Sequence, residues 1–209
     1  MALPDWLFYS LAALLAAVLV VFSLRYWPGK AHEAGPFDGS PRDGLTISGR
    51  QLGLIQAGPG LSAQLVEIDD GTFLHTLAGQ RPDEGVRSAG VFLVLPSRFG
   101  VFYAGKKIVA SMELRSTGRD ASPQAFIGYY TIGRPGGNSP HTPCSLSVHW
   151  QTCTMHYRPP PAGKGKVVDY FGLWPDPQGL SRSVDIRAVR IRLDDGSEQA
   201  PPPAPDQRQ

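Results

Sequence analysis

The chain has 209 residues, a formal net charge of +2, 24 glycines, 20 prolines and two cysteines. That charge balance is too small to suggest a nucleic-acid binder, whose footprint is a strongly basic surface. With the two ends set aside, roughly 150 residues are left, enough for one domain with a proper core.

Residues 6–24 carry no charged side chain between Asp5 and Arg25. Helical residues rising ~1.5 Å each would span about 28 Å here, close to the thickness of the bilayer hydrocarbon. Trp6 and Tyr9 at one end and Tyr26 and Trp27 at the other suit the interfacial belts of a membrane segment. A cleaved signal peptide is the competing reading. Against it, residues 1–5 hold no Lys or Arg, and Ser23-Leu24-Arg25-Tyr26-Trp27 has no small-x-small cleavage site. Residues 1–27 are therefore expected to be a single transmembrane helix with its flanks, kept as an anchor.

Orientation is contested within the sequence. Arg25, Lys30 and Arg42 follow the segment, and the positive-inside rule alone would hold the large domain in the cytoplasm. The two cysteines and a composition rich in Gly, Pro, Ser and Thr favour the other side, and long domains translocate largely regardless of charge. The expectation is a single-pass membrane protein of bacterial inner-membrane type, with its globular domain extracytoplasmic (periplasmic). Residues 28–48 read as a flexible linker. Residues 196–209 include Pro201, Pro202, Pro203 and Pro205 and read as a disordered or polyproline tail, either a ligand for another domain or a solvated end.

Between these flanks, over residues 49–195, strand signals follow one another. Segment 62–68 alternates, Asp69-Asp70-Gly71 turns, and 72–77 follows. Residues 91–95 are apolar and stop at Pro96, and 100–103 leads into Ala104-Gly105. In 107–115, Ile108, Ala110, Met112 and Leu114 share one face. Val109, Ser111, Glu113 and Arg115 share the other. Segments 124–132, 145–149, 151–158, 167–174 and 183–193 complete the set, with a turn-rich loop from Gly133 to Asn138. No helix is expected outside the anchor. Many short strands with Gly/Pro turns predict an all-β, two-sheet jelly-roll β-sandwich behind the single N-terminal helix.

The run Phe102-Tyr103-Ala104-Gly105-Lys106-Lys107-Ile108-Val109-Ala110-Ser111-Met112-Glu113-Leu114-Arg115 resembles a stretch of galactose-binding-like jelly rolls of the carbohydrate-binding-module type. There a Phe-x-x-Gly-Lys turn feeds a strand that ends in Arg. His149-Trp150-Gln151-Thr152 is similar to the tryptophan that opens a late strand of those domains. Val184-Asp185-Ile186-Arg187-Ala188-Val189-Arg190-Ile191 is similar to their closing strand pair. The resemblance covers roughly residues 61–193. It implies a β-sandwich that is often a sugar-binding module and sometimes a protein-contact or spacer domain; fold alone does not settle function.

His141, Cys144, His149, Cys153 and His156 lie within sixteen residues. Thiolate and imidazole at such spacing suit zinc, yet no C-x-x-C pair supports a metal, and none is assigned. Two cysteines in an extracytoplasmic chain pair readily, so Cys144 and Cys153 are a candidate disulfide, with free thiols the alternative. A continuous strand between them would span about 30 Å, so the bond demands a turn near His149-Trp150.

Tyr129, Tyr130, Trp150, Tyr157, Tyr170, Phe171 and Trp174 crowd the second half of the domain. Rings stack on the apolar faces of sugars, or they fill a core. Strand parity puts one of Tyr129 and Tyr130 inside, and sets Phe171 and Leu173 opposite Tyr170 and Trp174. Candidate ligand contacts are Tyr129, Trp150, His156, Tyr170 and Trp174. Arg187, Arg190 and Arg192 near Asp185 fit cross-strand pairing and edge protection, or an anionic polymer or lipid head group. The Asp-Gly turns at 69–71 and 194–196 read as ordinary turns rather than calcium sites. No G-x-S-x-G, H-E-x-x-H or phosphate loop occurs, and Glu67, Glu84 and Glu113 are the only glutamates between residues 49 and 195. No catalytic residue and no cofactor are expected.

The expected function is a membrane-anchored, non-catalytic module that contacts a glycan or cell-envelope polymer. The alternative is a structural or interaction subunit of a membrane complex with no small-ligand site. Partners are then the membrane and a polysaccharide or envelope protein, and no nucleic acid.

Overall fold

The computed structural model describes residues 15, 16, 18, 40–69, 71–84, 88–134, 136–161 and 168–196. The chain divides into two compact units, Met1–Glu33 and Ala34–Gln209. In the first, Leu15, Ala16 and Val18 are described, and all three are helical. Among the described residues no helix is long and apolar enough to cross a membrane. The rest of the expected anchor, residues 6–24, lies outside the described residues, as does the Pro-rich stretch beyond Gly196.

The second unit is built from strands. In chain order they are β1 (Leu45–Ser48), β2 (Gln56–Ala57), β3 (Leu61–Ile68), β4 (Gly71–Ala78), β5 (Val91–Leu95), β6 (Ile108–Arg115), β7 (Gln124–Ile132), β8 (Thr142–Ser145), β9 (Gln151–Tyr157), β10 (Val168–Trp174) and β11 (Arg182–Leu193). One sheet runs β3-β4-β11-β6-β9, with β1 also on β11. The other runs β2-β5-β10-β7-β8. Every strand pair is antiparallel. This is the expected two-sheet sandwich. It opens with β1, inside the stretch 28–48 read as linker.

Alternation makes the core. Ile108, Ala110, Met112 and Leu114 of β6 face inward with Val184, Ile186, Val189 and Ile191 of β11, and meet Ile127, Tyr129, Phe171 and Leu173 of the facing sheet in one hydrophobic cluster. Each Val, Leu, Ile, Met or Phe among them contributes about 1.5–3 kcal/mol by leaving water. A bulge between Ile186 and Ala188 shifts the parity of β11, so that Val184 and Ile186 before it and Val189 and Ile191 after it all face inward, and it turns Arg187 out beside Glu113.

Three expectations are corrected. Residues 100–103 are not a strand: Ser97–Tyr103 is a helix, α1, after Pro96. Phe99 and Tyr103, four apart, fall on one helical face and are fully buried with rings 5.9 Å apart. A 3-10 helix, Gly49–Leu54, also buries Leu52. The expectation of no helix beyond the anchor fails on both. The strand expected at 145–149 lies earlier, at Thr142–Ser145, because Ser147 hydrogen-bonds the His149 backbone and bends the chain. That bend brings Cys144 and Cys153 to a Cα separation of 5.8 Å, and they form a disulfide. It joins the edge strands of the two sheets, β8 and β9.

Candidate functional site

The outward face of the five-stranded sheet carries a groove of about 600 Å³. Its floor comes from strand parity. With Ala125, Ile127 and Tyr129 of β7 inward, Phe126, Gly128, Tyr130 and Ile132 face out. With Phe171 and Leu173 of β10 inward, Tyr170 and Gly172 face out. Register places Tyr170 beside Tyr130, and Gly172 between Gly128 and Phe92 of β5. A Cβ on Gly128 would come within 2.8 Å of the Tyr130 hydroxyl, and one on Gly172 within 3.2 Å of the same ring. The two glycines thus leave the space that the Tyr130 ring fills.

The rings continue across the strands. Phe92 meets Tyr170 edge-on, with centroids 5.3 Å apart. Tyr130 approaches His141 at 6.1 Å, and His141 stacks on Phe126 at 5.6 Å. From β5 to the start of β8 this row crosses three inter-strand spacings, about 14 Å. Pro59, Pro82, Ser88 and Ala89 wall one side, and Ile132 and Asn138 stand at the other. No charged side chain lines the groove among the described residues. Polar groups are few. The Asn138 side-chain oxygen accepts from the Thr131 amide at 3.0 Å, which leaves its NH₂ to donate, and the Ser88 hydroxyl accepts from Gly90 at 3.1 Å. Burial pushes the Tyr130 hydroxyl up to about 12, so it is a neutral donor.

Of the sequence-derived candidates, Tyr170 alone lies in the groove. Tyr129 is fully buried on the inner face, and its hydroxyl donates to Asp169 at 2.7 Å. Trp174 is 1% exposed, and its indole N–H donates to the Gln80 carbonyl. Trp150 sits on the opposite sheet, where the Arg115 and Arg187 guanidinium groups lie 4.3 and 4.9 Å from its ring centroid and Phe73 meets its edge. His156, also on that sheet, faces Asp194 at 3.3 Å. These five residues do not form one site. Sequence reasoning missed Phe92, Tyr130, Phe126 and His141. The signal that could have found them is a glycine in the middle of each of two neighbouring aromatic strands, Gly128 and Gly172, which marks a close approach.

One polar cluster lies under the groove. Arg134 and Asp169 are both fully buried, 3.2 Å apart. Arg134 also donates to the carbonyls of Gly100 and Pro160. Desolvation raises the Asp169 carboxyl, against the opposing effects of the Tyr129 hydrogen bond and the Arg134 charge. Desolvation likewise raises the Tyr129 hydroxyl, helped by the Asp169 charge. The cluster holds the loop after β7 that ends the groove. Among the described residues no group of three His, Cys, Asp or Glu side chains could hold a metal.

No family model matches the chain, and no curated protein matches it. Solved structures do. The tandem CBM22-1-CBM22-2 domain of Paenibacillus barcinonensis Xyn10C is similar with a TM-score of 0.53 and 14% identity, over 82% of this chain and 50% of that one. The CBM22-1 xylan-binding domain of the same protein gives 0.48 at 13% identity, over 71% and 92% of the two chains. The C-terminal family 22 carbohydrate binding module of Clostridium thermocellum Xyn10B gives 0.47 at 13%, over 68% and 86%. The likeness to the tandem domain is one of fold, a β-sandwich.

Proposed function

We propose that this chain is a non-catalytic, membrane-anchored module that binds an uncharged polysaccharide in the groove of its five-stranded sheet. The observation that carries the reading is the groove itself: Phe92, Tyr130 and Tyr170 on its floor, with neutral hydrogen-bonding groups at its rim. Pyranose rings offer flat C–H faces to such rings and hydroxyls to such donors, and a groove of this volume is within the usual range for ligand sites. The likeness in fold to modules named for carbohydrate binding supports the same reading. The disulfide supports an oxidising, extracytoplasmic location, and residues 6–24 supply the anchor by their length and apolarity.

Isothermal titration with xylohexaose and with neutral β-glucan oligosaccharides tests the binding. Saturable binding lost on Tyr170→Ala and kept on Trp150→Ala is the expected result. A panel with no saturable ligand, or equal loss from both variants, removes the proposal. Thiol labelling of intact and permeabilised cells, with and without reductant, tests the location. Cysteines that label in intact cells only after reduction are expected; labelling only after permeabilisation would place the domain inside.

A further inference from the structure

We infer that the groove also receives the chain's own proline-rich stretch, residues 200–205, so that this segment competes with the saccharide. The inference rests on the proposed function for its consequence, though not for the contact itself. Three observations lead to it.

The first is chemical fit. Residues 200–205 read Ala-Pro-Pro-Pro-Ala-Pro, so four of six have no N–H, while all have a carbonyl. Such a segment favours the polyproline II conformation, with carbonyls that need outside donors. The groove offers aromatic floors at Phe92, Tyr130 and Tyr170, and hydrogen-bond donors in the two tyrosine hydroxyls and the Asn138 amide. Aromatic-lined grooves are the usual receivers of polyproline segments, because a chain already extended loses little entropy on docking.

The second is where the chain leaves the domain. β11 ends at Leu193, and the Asp194 amide donates to the Lys107 carbonyl at 2.9 Å. Gly105 in turn donates to Pro159, Arg134 to the Pro160 carbonyl, and Tyr157 to the Gly137 carbonyl. The residue after Gly137 is Asn138 at the groove end. The chain therefore exits at the end of the sandwich where Ile132 and Asn138 bound the groove.

The third is reach. Packed sheets lie about 10 Å apart. Five residues beyond Gly196 span up to about 17 Å and nine up to about 30 Å. The prolines can round the end of the sandwich and lie along the row of rings. Tethering at this length gives an effective concentration in the mM range, so a weak contact is still populated.

The test uses the intact chain. Ile132→Cys and Thr154→Cys are each combined with Pro203→Cys and treated with a short bis-maleimide, which leaves the Cys144–Cys153 disulfide alone. Thr154 is exposed on β9 of the other sheet. Expected is an intramolecular 132–203 cross-link at least about ten times faster than 154–203, and xylohexaose affinity raised about tenfold when Pro201, Pro202, Pro203 and Pro205 are all changed to Ser. Equal cross-linking rates, or a 132–203 product only between two chains, overturn the inference. If the preferred cross-link forms and xylohexaose binds neither chain, docking stands and the saccharide reading falls. If xylohexaose binds and the cross-link shows no preference, the saccharide reading stands and docking falls.

Discussion

Tyr130 of β7 occupies the space left by a missing side chain at Gly172 of β10. A Cβ there would lie 3.2 Å from the ring and would collide with the Ala89 carbonyl behind it. The colliding atom is backbone, so the loop before β5 must give way. Gly172→Ala should therefore displace both the ring and the Ala89 wall. The expected cost is about 1–3 kcal/mol in urea unfolding, with saccharide affinity reduced at least about tenfold. Unchanged affinity in this variant would mean that the ring and wall are not the binding surface.

Trp150 offers the contrasting case. Guanidinium groups of Arg115 and Arg187 lie against its ring, and Arg115 is also bonded to buried Asp185 at 3.0 Å. Its ring is committed to the outer face of the six-stranded sheet. Trp150→Ala should lower stability by about 1–3 kcal/mol through lost packing and cation–π contact, and leave saccharide affinity within twofold. A large affinity loss without a stability change would return Trp150 to the site.

These two residues show what the sequence could and could not reveal. The sandwich was legible because alternation in segments such as 107–115 is a direct record of which face meets the core. The site was less so. Parity separates Tyr129 from Tyr130 without saying which faces inward; that depends on the register of β7 against β10 and β8. Tyr170 and Trp174 do share the outward parity, yet the carbonyl of Gln80 from a distant loop covers Trp174. α1 was hidden because a strand and a helix both suit a short aromatic run, and only the Phe99–Tyr103 spacing distinguishes them.

Arg134 and Asp169 are a buried pair whose removal should be asymmetric. Arg134→Ala leaves a fully buried carboxyl, already raised by desolvation, without its cation, and costs about 3–5 kcal/mol. The double variant Arg134→Met with Asp169→Leu should recover much of that loss, because no charge is stranded. Urea melts of the two proteins decide it; a single variant that costs under about 1 kcal/mol would show that the pair does not hold the loop.

Alkaline pH should act through the buried tyrosines. Burial raises Tyr103 to about 12 and raises Tyr129 further in the same direction. An acid held neutral by the fold binds its proton more tightly there than in the unfolded chain. The stability it contributes is full below pH 10 and falls as pH rises from about 10 towards its folded value. Each of the two removes about 1.4 kcal/mol per pH unit in that window. Equilibrium unfolding between pH 9 and 12, followed with tyrosinate absorbance near 295 nm, should show unfolding and ionisation together. Tyrosines that all ionise near pH 10 while the protein stays folded would contradict their burial.

The Cys144–Cys153 bond closes a short loop, with a sequence separation of 9. Loop closure of that size limits the unfolded chain by about 2.5 kcal/mol. The native consequence is local. β8 has four residues, is an edge strand that pairs with β7 alone, and is preceded by His141, the outermost ring of the aromatic row. Reduction should therefore do more than lower the urea midpoint. It should release β8 before the rest of the sandwich, so that amide exchange at Thr142–Ser145 speeds up while β10 and β11 stay protected. Saccharide affinity should fall in parallel, because His141 loses its fixed place beside Tyr130. Uniform acceleration across both sheets would instead make the bond a global staple with no particular hold on the groove.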